Sequence, residues 1–154
     1  PESAKAVHHA LDLAEKYDMK IILDVNWRPV FWHNPEEAPD IIRKIFKKVD
    51  FVKLAKEEAE WLFDTSDAGA INYRLDTVEG VLVTDGDNGC AYCLDENEGK
   101  LPAFPVSVVD TTGAGDSFLA GFIHQLLTHG IPSLKDKETA RNIIRYASAV
   151  GALT

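Results

Sequence analysis

The chain has 154 residues, 45% of them hydrophobic and 27% charged, with a formal net charge of −9. That length is one domain's worth and allows a real core. The acidic balance, with no compensating Lys/Arg cluster, argues against a nucleic-acid surface, and no apolar run is long enough to span a bilayer.

In chain order, Pro1-Glu2-Ser3-Ala4 reads as an entry into a helix in mid-protein, without a basic-then-apolar leader. Ser3 can cap a helix to about Tyr17, with Val7, Ala10, Leu11 and Ala14 on one face and His8 and His9 on its rim. Lys20–Val25 is apolar enough for a buried parallel strand. It runs into Asp24-Val25-Asn26-Trp27-Arg28, polar residues at a strand's carboxyl end, where open α/β sheets place ligands. Val30–His33 is an aromatic loop, expected to pack over the domain edge, although aromatics near a ligand cleft can also wall a pocket. Asn34-Pro35 opens a second helix, with Glu36 and Glu37 in its first turn and Ile41, Ile42, Ile45 and Phe46 apolar.

A strand is expected at Phe51–Leu54, a helix from Lys56 to Phe63, and a variable loop or short helix over Asp64–Asp76. Gly80–Thr84 reads as a buried strand, followed by the turn Asp85–Gly89, the strand Cys90–Leu94, and a second turn from Asp95 to Lys100. The two cysteines, Cys90 and Cys93, have the spacing of a redox pair or half a metal site. Three residues apart on a strand they face opposite ways, which favours two reduced, partly buried thiols.

Val106-Ser107-Val108-Val109-Asp110-Thr111-Thr112-Gly113-Ala114-Gly115-Asp116-Ser117-Phe118 is expected to be a buried strand, a small-residue loop and a helix. Gly113, Ala114 and Gly115 leave backbone amides uncovered, and the helix dipole points at the same place. Asp116 stands in the first turn, where it could meet a substrate hydroxyl. From these residues alone, a phosphate cradle and a tight turn capped by an acid are equal readings. The P-loop is excluded, because no Gly-Lys-Ser/Thr follows. The helix is expected to run to about His129, burying Phe118, Phe122, Ile123, Leu126 and Leu127, with His124 and His129 at the surface. Gly130-Ile131-Pro132 stops it, and a last helix from about Lys137 carries Ala140, Ile143, Ile144, Ala147, Val150 and Leu153 at helical spacing.

The string Asp-Thr-Thr-Gly-Ala-Gly-Asp-Ser-Phe-x-Ala-Gly-Phe resembles the C-terminal signature of the PfkB/ribokinase family of carbohydrate kinases. The resemblance covers nearly all of the chain but only the C-terminal half of the family, so residues 1–154 are expected to be the C-terminal part of one kinase domain. It implies a ribokinase-like α/β fold, three layers α/β/α around a mainly parallel sheet, without the N-terminal half and the sugar-gripping lid. It also implies ATP-dependent phosphorylation of a sugar hydroxyl, with Asp116 as general base and Gly113, Ala114 and Gly115 as the anion hole. Asp24-x-Asn26-x-Arg28 is similar to the segment of fructokinase-like members that faces the transferred phosphate, which makes Asp24, Asn26 and Arg28 candidates, Arg28 as a guanidinium clamp on phosphate oxygens, and fructose the first substrate. A surface ion pair is the competing reading of Arg28, and a loop-making role that of Asp24 and Asn26.

Thr84, Gly86 and Gly89 resemble the family's nucleotide-touching turn, although a plain β-turn explains the glycines as well. Ser148 stands where the family's last helix borders the adenine. Glu58 fits the acidic position tied to Mg2+, at most through water, but Ala55 replaces the usual Asn or Ser; an exposed helix glutamate is the competing reading. Potassium is a further cofactor that the resemblance implies, beside Asp110 and Thr112. The partners expected are ATP and a sugar, with no nucleic acid and no membrane, and a homodimer for the piece alone. The compartment is cytoplasmic, or plastid if a transit peptide precedes the chain. The alternatives are another kinase of the fold, acting on ribose, a keto-sugar acid or a nucleoside, and a non-catalytic binding or scaffold protein.

Overall fold

A computed structural model describes residues 2–154. Five strands, β1 (Ile22–Asp24), β2 (Phe51–Ala55), β3 (Gly80–Thr84), β4 (Cys90–Leu94) and β5 (Asn97–Leu101), form one sheet in the order of the chain. The β1–β2 and β2–β3 ladders are parallel, and β3–β4 and β4–β5 are antiparallel hairpins. The α/β class is as expected, but the sheet is evenly mixed. The turns after β3 and β4 are too short for a crossover helix, so only antiparallel pairing can follow. Six helices accompany the sheet: α1 (Glu2–Lys16), α2 (Ala38–Phe46), α3 (Lys56–Phe63), α4 (Ala68–Leu75), α5 (Ala114–His129) and α6 (Lys137–Ala152).

Strand alternation sorts the core into two faces. Val52 and Leu54 of β2, with Val81, Val83 and Cys93, pack against Ile42 and Phe46 of α2, Leu62 and Phe63 of α3, and Ile71 of α4. Phe51, Leu82, Cys90, Tyr92 and Leu94 pack on the other face against Phe118, Phe122 and Leu126 of α5 and Ile143, Ile144 and Ala147 of α6. The result is the three-layer arrangement of α2–α4, sheet, and α5–α6. Cys90 and Cys93 fall in different layers and are both free and buried. No helix of the described residues is long and apolar enough to cross a membrane.

Several expectations change. Val106–Val109 forms no strand; the segment from Pro102 to Thr111 is irregular, and Val109 is 97% exposed. Valine's strand preference needs a neighbour to pack against, and none of the five strands pairs there. Conversely, the polar run Asn97–Leu101 is the edge strand β5, not a turn, and the Asp64–Asp76 stretch contains the helix α4. Ile123 and Leu127 of α5 and Leu153 after α6 are exposed, so the buried stripes are narrower than the apolar periodicity. On α1 only Ala14 is buried, while Val7 and Leu13 face outward. In the aromatic loop Val30 and Phe31 are exposed, and Trp32 packs against the α2–α4 core.

Candidate active site

The three parallel strands all end on the same side of the sheet, and the loops beyond those ends hold most of the candidate residues. Asp24 closes β1. On β2, Lys53 lies on the Phe51 side, facing α5, and is only 7% exposed although charged. Its Nζ donates to both carboxylate oxygens of Asp24, at 3.0 and 3.2 Å. A buried ammonium must be paired to stay charged, so Asp24 serves as an ion-pair partner and not as a loop-making Asx residue.

The α5 N-terminus sits directly over this pair. A Cβ built on Gly115 would lie 3.0 Å from Lys53 Nζ. Glycine at 115 therefore lets the start of α5 come down onto the end of β2, joining the first candidate segment to the last. Gly113, the residue before α5, has φ +83°, a left-handed conformation that favours glycine. Its carbonyl accepts from Ser117 N at 2.8 Å, and Asp116 is exposed in the first turn. Asp110 Oδ1 accepts from both Thr112 N and Thr112 Oγ1 at 2.8 Å, an Asx turn leading into the loop. The Thr112 amide holds the Asp110 carboxyl below its ordinary value. That oxygen is already engaged, so the pair builds the loop whether or not a cation is present.

From the other side, the end of α6 reaches the same loop. A Cβ on Gly151 would come within 2.9 Å of Ala114 O. One turn earlier, Ser148 lines a hollow of about 300 Å³ with Pro102, Phe104, Arg141 and Arg145. A second hollow of about 290 Å³ holds Gly89, Lys56, Asp85, Asn88 and Lys100. Thr84 pairs with Ala55 in the β2–β3 ladder, and its Oγ1 donates to Leu54 O at 3.4 Å. Lys56 and Asp85 join the same strand ends through a 3.0 Å ion pair that raises the Lys56 pKa and lowers that of Asp85. Gly86, with φ +49°, has open space around it. Gly89 does not, because a Cβ there would strike Leu101 O; its glycine is required by the β4–β5 hairpin packing, whatever else it does.

Arg28 is exposed, donates to Trp27 O at 3.0 Å, and makes no ion pair among the described residues. Asn26 takes φ +41° to turn the chain out of β1. Glu58 is not the exposed helix glutamate of its competing reading. It is neither exposed nor free: Oε2 accepts from Ala55 N at 2.8 Å and Oε1 from Trp27 N at 2.5 Å. An inner-sphere magnesium would have to break these bonds, so Glu58 does not fit as a direct ligand. Sequence reasoning missed Lys53. Its signal was a lysine inside Phe51-Val52-Lys53-Leu54, in register with core positions.

The sequence profile described as pfkB family carbohydrate kinase matches residues 2–154. The chain belongs to the pfkB family. Its fold is ribokinase-like. Fructokinase-1 of Zea mays is 34% identical over 157 residues, covering 99% of this chain and 48% of the relative. Fructokinase-1 of Oryza sativa subsp. japonica is 32% identical, with 99% and 48% covered. Among solved pfkB-like structures, fructokinase with bound ATP from Xylella fastidiosa superposes with a TM-score of 0.87 at 29% identity, over 97% of this chain and 50% of that one. Aminoimidazole riboside kinase from Salmonella enterica gives a TM-score of 0.75 at 26% identity, over 95% and 49%. The chain thus spans about half the length of the pfkB relatives it matches.

Proposed function

We propose that this chain is the nucleotide- and phosphoryl-binding part of a sugar kinase, with fructose as the first substrate to test. The observation that carries the reading is the α5 N-terminus, which opens on a left-handed Gly113, holds Asp116 in its first turn, and lies over the strand ends beside Lys53. In the reaction, Asp116 accepts the proton of the sugar hydroxyl. The hydroxyl oxygen bonds to the γ-phosphorus as the bond to the β–γ bridging oxygen breaks, and ADP leaves. Amides of Gly113 and Gly115, with the α5 dipole, stabilise charge on the transferring group, and the Ala114 amide joins them by leaving the Thr111 carbonyl, to which it donates at 3.2 Å. Arg28, free of an acidic partner, is the guanidinium clamp on phosphate oxygens. Asn26 faces the same group. Thr84 and Gly86 approach the nucleotide phosphates, Gly89 lines the adjoining hollow, and Ser148 marks the adenine side. Magnesium accompanies the triphosphate and is held through water, because Glu58 is engaged. Potassium beside Asp110 and Thr112 belongs to the same proposal.

Calorimetric titration of the chain with Mg·ATP tests this, in potassium and in sodium buffers. Wild type and Asp116→Asn should bind, and Gly113→Val should not, because valine at φ +83° is strained. A folded wild type that does not bind would favour a scaffold role. In the whole protein, Asp116→Asn should abolish turnover while sparing ATP binding; retained turnover would remove Asp116 from the base role. The likeness to aminoimidazole riboside kinase keeps a riboside as the second substrate to assay.

A further inference from the structure

Glu58 is a buried carboxylate, 7% exposed, with no cationic partner among the described residues. Its charge is met by two backbone amides from distant parts of the chain. One is Ala55 N, at the start of its own helix, the N3-to-N-cap half of a capping box. Alanine has no side-chain acceptor, so the reciprocal half is missing. The other is Trp27 N, 31 residues away in the turn that follows β1. A carboxylate that accepts amides from two segments ties them together, and breaking either bond leaves a buried polar group unpaired.

The turn is held from a second side. The Trp27 ring stacks on Trp61 of α3 at 4.6 Å and 24°, and Trp32 tilts against it at 5.4 Å. Glu58 and Trp61 lie three residues apart on α3, so one helix grips both the amide and the indole of Trp27. Asn26 and Arg28, the residues on either side of Trp27, are exposed, and Arg28 makes no ion pair among the described residues.

We propose that Glu58 is a positioning residue: it clamps Trp27 so that Asn26 and Arg28 are presented to the phosphate side of the site, and it is not a magnesium ligand. The role toward phosphate rests on the function proposed above; the clamp itself does not. An acid at this place then acts by geometry.

The chain's three tryptophans, Trp27, Trp32 and Trp61, all belong to this cluster, so tryptophan fluorescence, excited at wavelengths where tyrosine does not absorb, reports on it. Glu58→Gln keeps the shape but turns an N–H toward one of the two amide donors. It should red-shift the tryptophan emission and increase acrylamide quenching, with the far-ultraviolet dichroism unchanged. An unmoved spectrum would overturn the clamp. If Glu58→Gln fails to fold, hydrogen exchange on wild type decides: the Trp27 amide should be protected, and exchange at the unprotected rate would overturn the proposal. In the Mg·ATP titration, Glu58→Gln and Arg28→Ala should each weaken binding roughly 10- to 100-fold, and the double variant should lose less than the product of the two single losses, because part of the Glu58 effect runs through Arg28. The Mg2+ dependence of ATP affinity should be the same in Glu58→Gln as in wild type. Loss of that dependence with fluorescence unmoved would make Glu58 a metal ligand. Full ATP affinity in Glu58→Gln would remove the positioning role even if the turn is displaced. A wild type that binds no ATP while Trp27 stays protected would count against the proposed function and leave the clamp standing.

Discussion

Lys53 fills the space that a side chain at position 115 would need, and Asp24 pairs with its ammonium there. Removing the lysine should be severe. Lys53→Met strands the Asp24 carboxylate, whose side chain is 15% exposed, and should cost about 3–5 kcal/mol, read as a lower urea midpoint at unchanged slope. Lys53→Met with Asp24→Leu should recover most of that loss, because a well-packed apolar pair often replaces a buried ion pair at little cost. A double variant as unstable as the single one would contradict this.

The thiols give a pH-dependent prediction. Burial pushes Cys90 up to about 12, against smaller lowering contributions from the Val83 backbone and the Lys53 charge, and burial raises Cys93 as well. Above the ordinary thiol pKa the unfolded chain loses these protons and the folded chain keeps them. The stability is therefore complete below that value and falls as pH rises toward the folded pKa, by at most about 1.4 kcal/mol per pH unit for each thiol. Denaturant titrations between about pH 8.5 and 10 should show the fall, with a shallower slope in Cys90→Val. At this scale the sequence yielded residue types and not their partners. The Gly-Ala-Gly-Asp loop was legible because its chemistry is local. Lys53 and Glu58 were not, because each is defined by a contact about 30 residues away with Asp24 or Trp27.

Helices α5 and α6 meet at two glycines. A Cβ on Gly121 would come within 3.1 Å of Ala147 Cα and Val150, and one on Gly151 within 2.9 Å of Ala114 O. Gly121→Ala and Gly151→Ala should each cost about 1–3 kcal/mol as overpacking. Their effects on ATP should differ. Gly151→Ala pushes on the loop itself and should weaken Mg·ATP binding, whereas Gly121 lies about two turns along α5 and its variant should bind as wild type does. Equal loss of affinity in both would deny the loop's dependence on α6. Asp136 caps α6 by accepting from Thr139 N at 2.8 Å, and the Thr139 hydroxyl and amide hold its carboxyl below the ordinary value. That support is present above the ordinary carboxylate pKa and is lost as pH falls through the lowered one. Elements with strong periodicity or turn punctuation, such as β2, β3, β4 and α3, appear where the sequence puts them. β5 does not, since Asn97-Glu98-Gly99-Lys100-Leu101 is an edge strand with one buried residue and no apolar alternation. Val106–Val109 fails the other way, having strand chemistry and no partner.

For the whole molecule, the outward face of α1 and the residues after it leave Val7, Leu13, Tyr17 and Met19 exposed, next to a β1 edge that pairs with no strand among those described. Apolar side chains beside an open strand edge promote association. Sedimentation velocity should show the mean mass rising with protein concentration, and Val7→Glu with Leu13→Glu should reduce the rise without changing the far-ultraviolet dichroism. A constant monomer across the range would count against it. The sheet has a further consequence. Its spatial order is its chain order, so among the described strands each of β1 to β4 finds a partner in the next one made, and no pairing between them waits on a distant segment. Loop closure stays cheap at each step, and the sheet can grow by accretion as the polypeptide emerges from the ribosome. Helices α5 and α6 follow the sheet in the chain, and until they dock, Phe51, Leu82 and Leu94 are bare. In pulsed hydrogen exchange the amides of β2–β4 should therefore gain protection before those of α5. The loop from Gly113 to Asp116 would then be set in place after the sheet, so that ligand competence follows strand pairing.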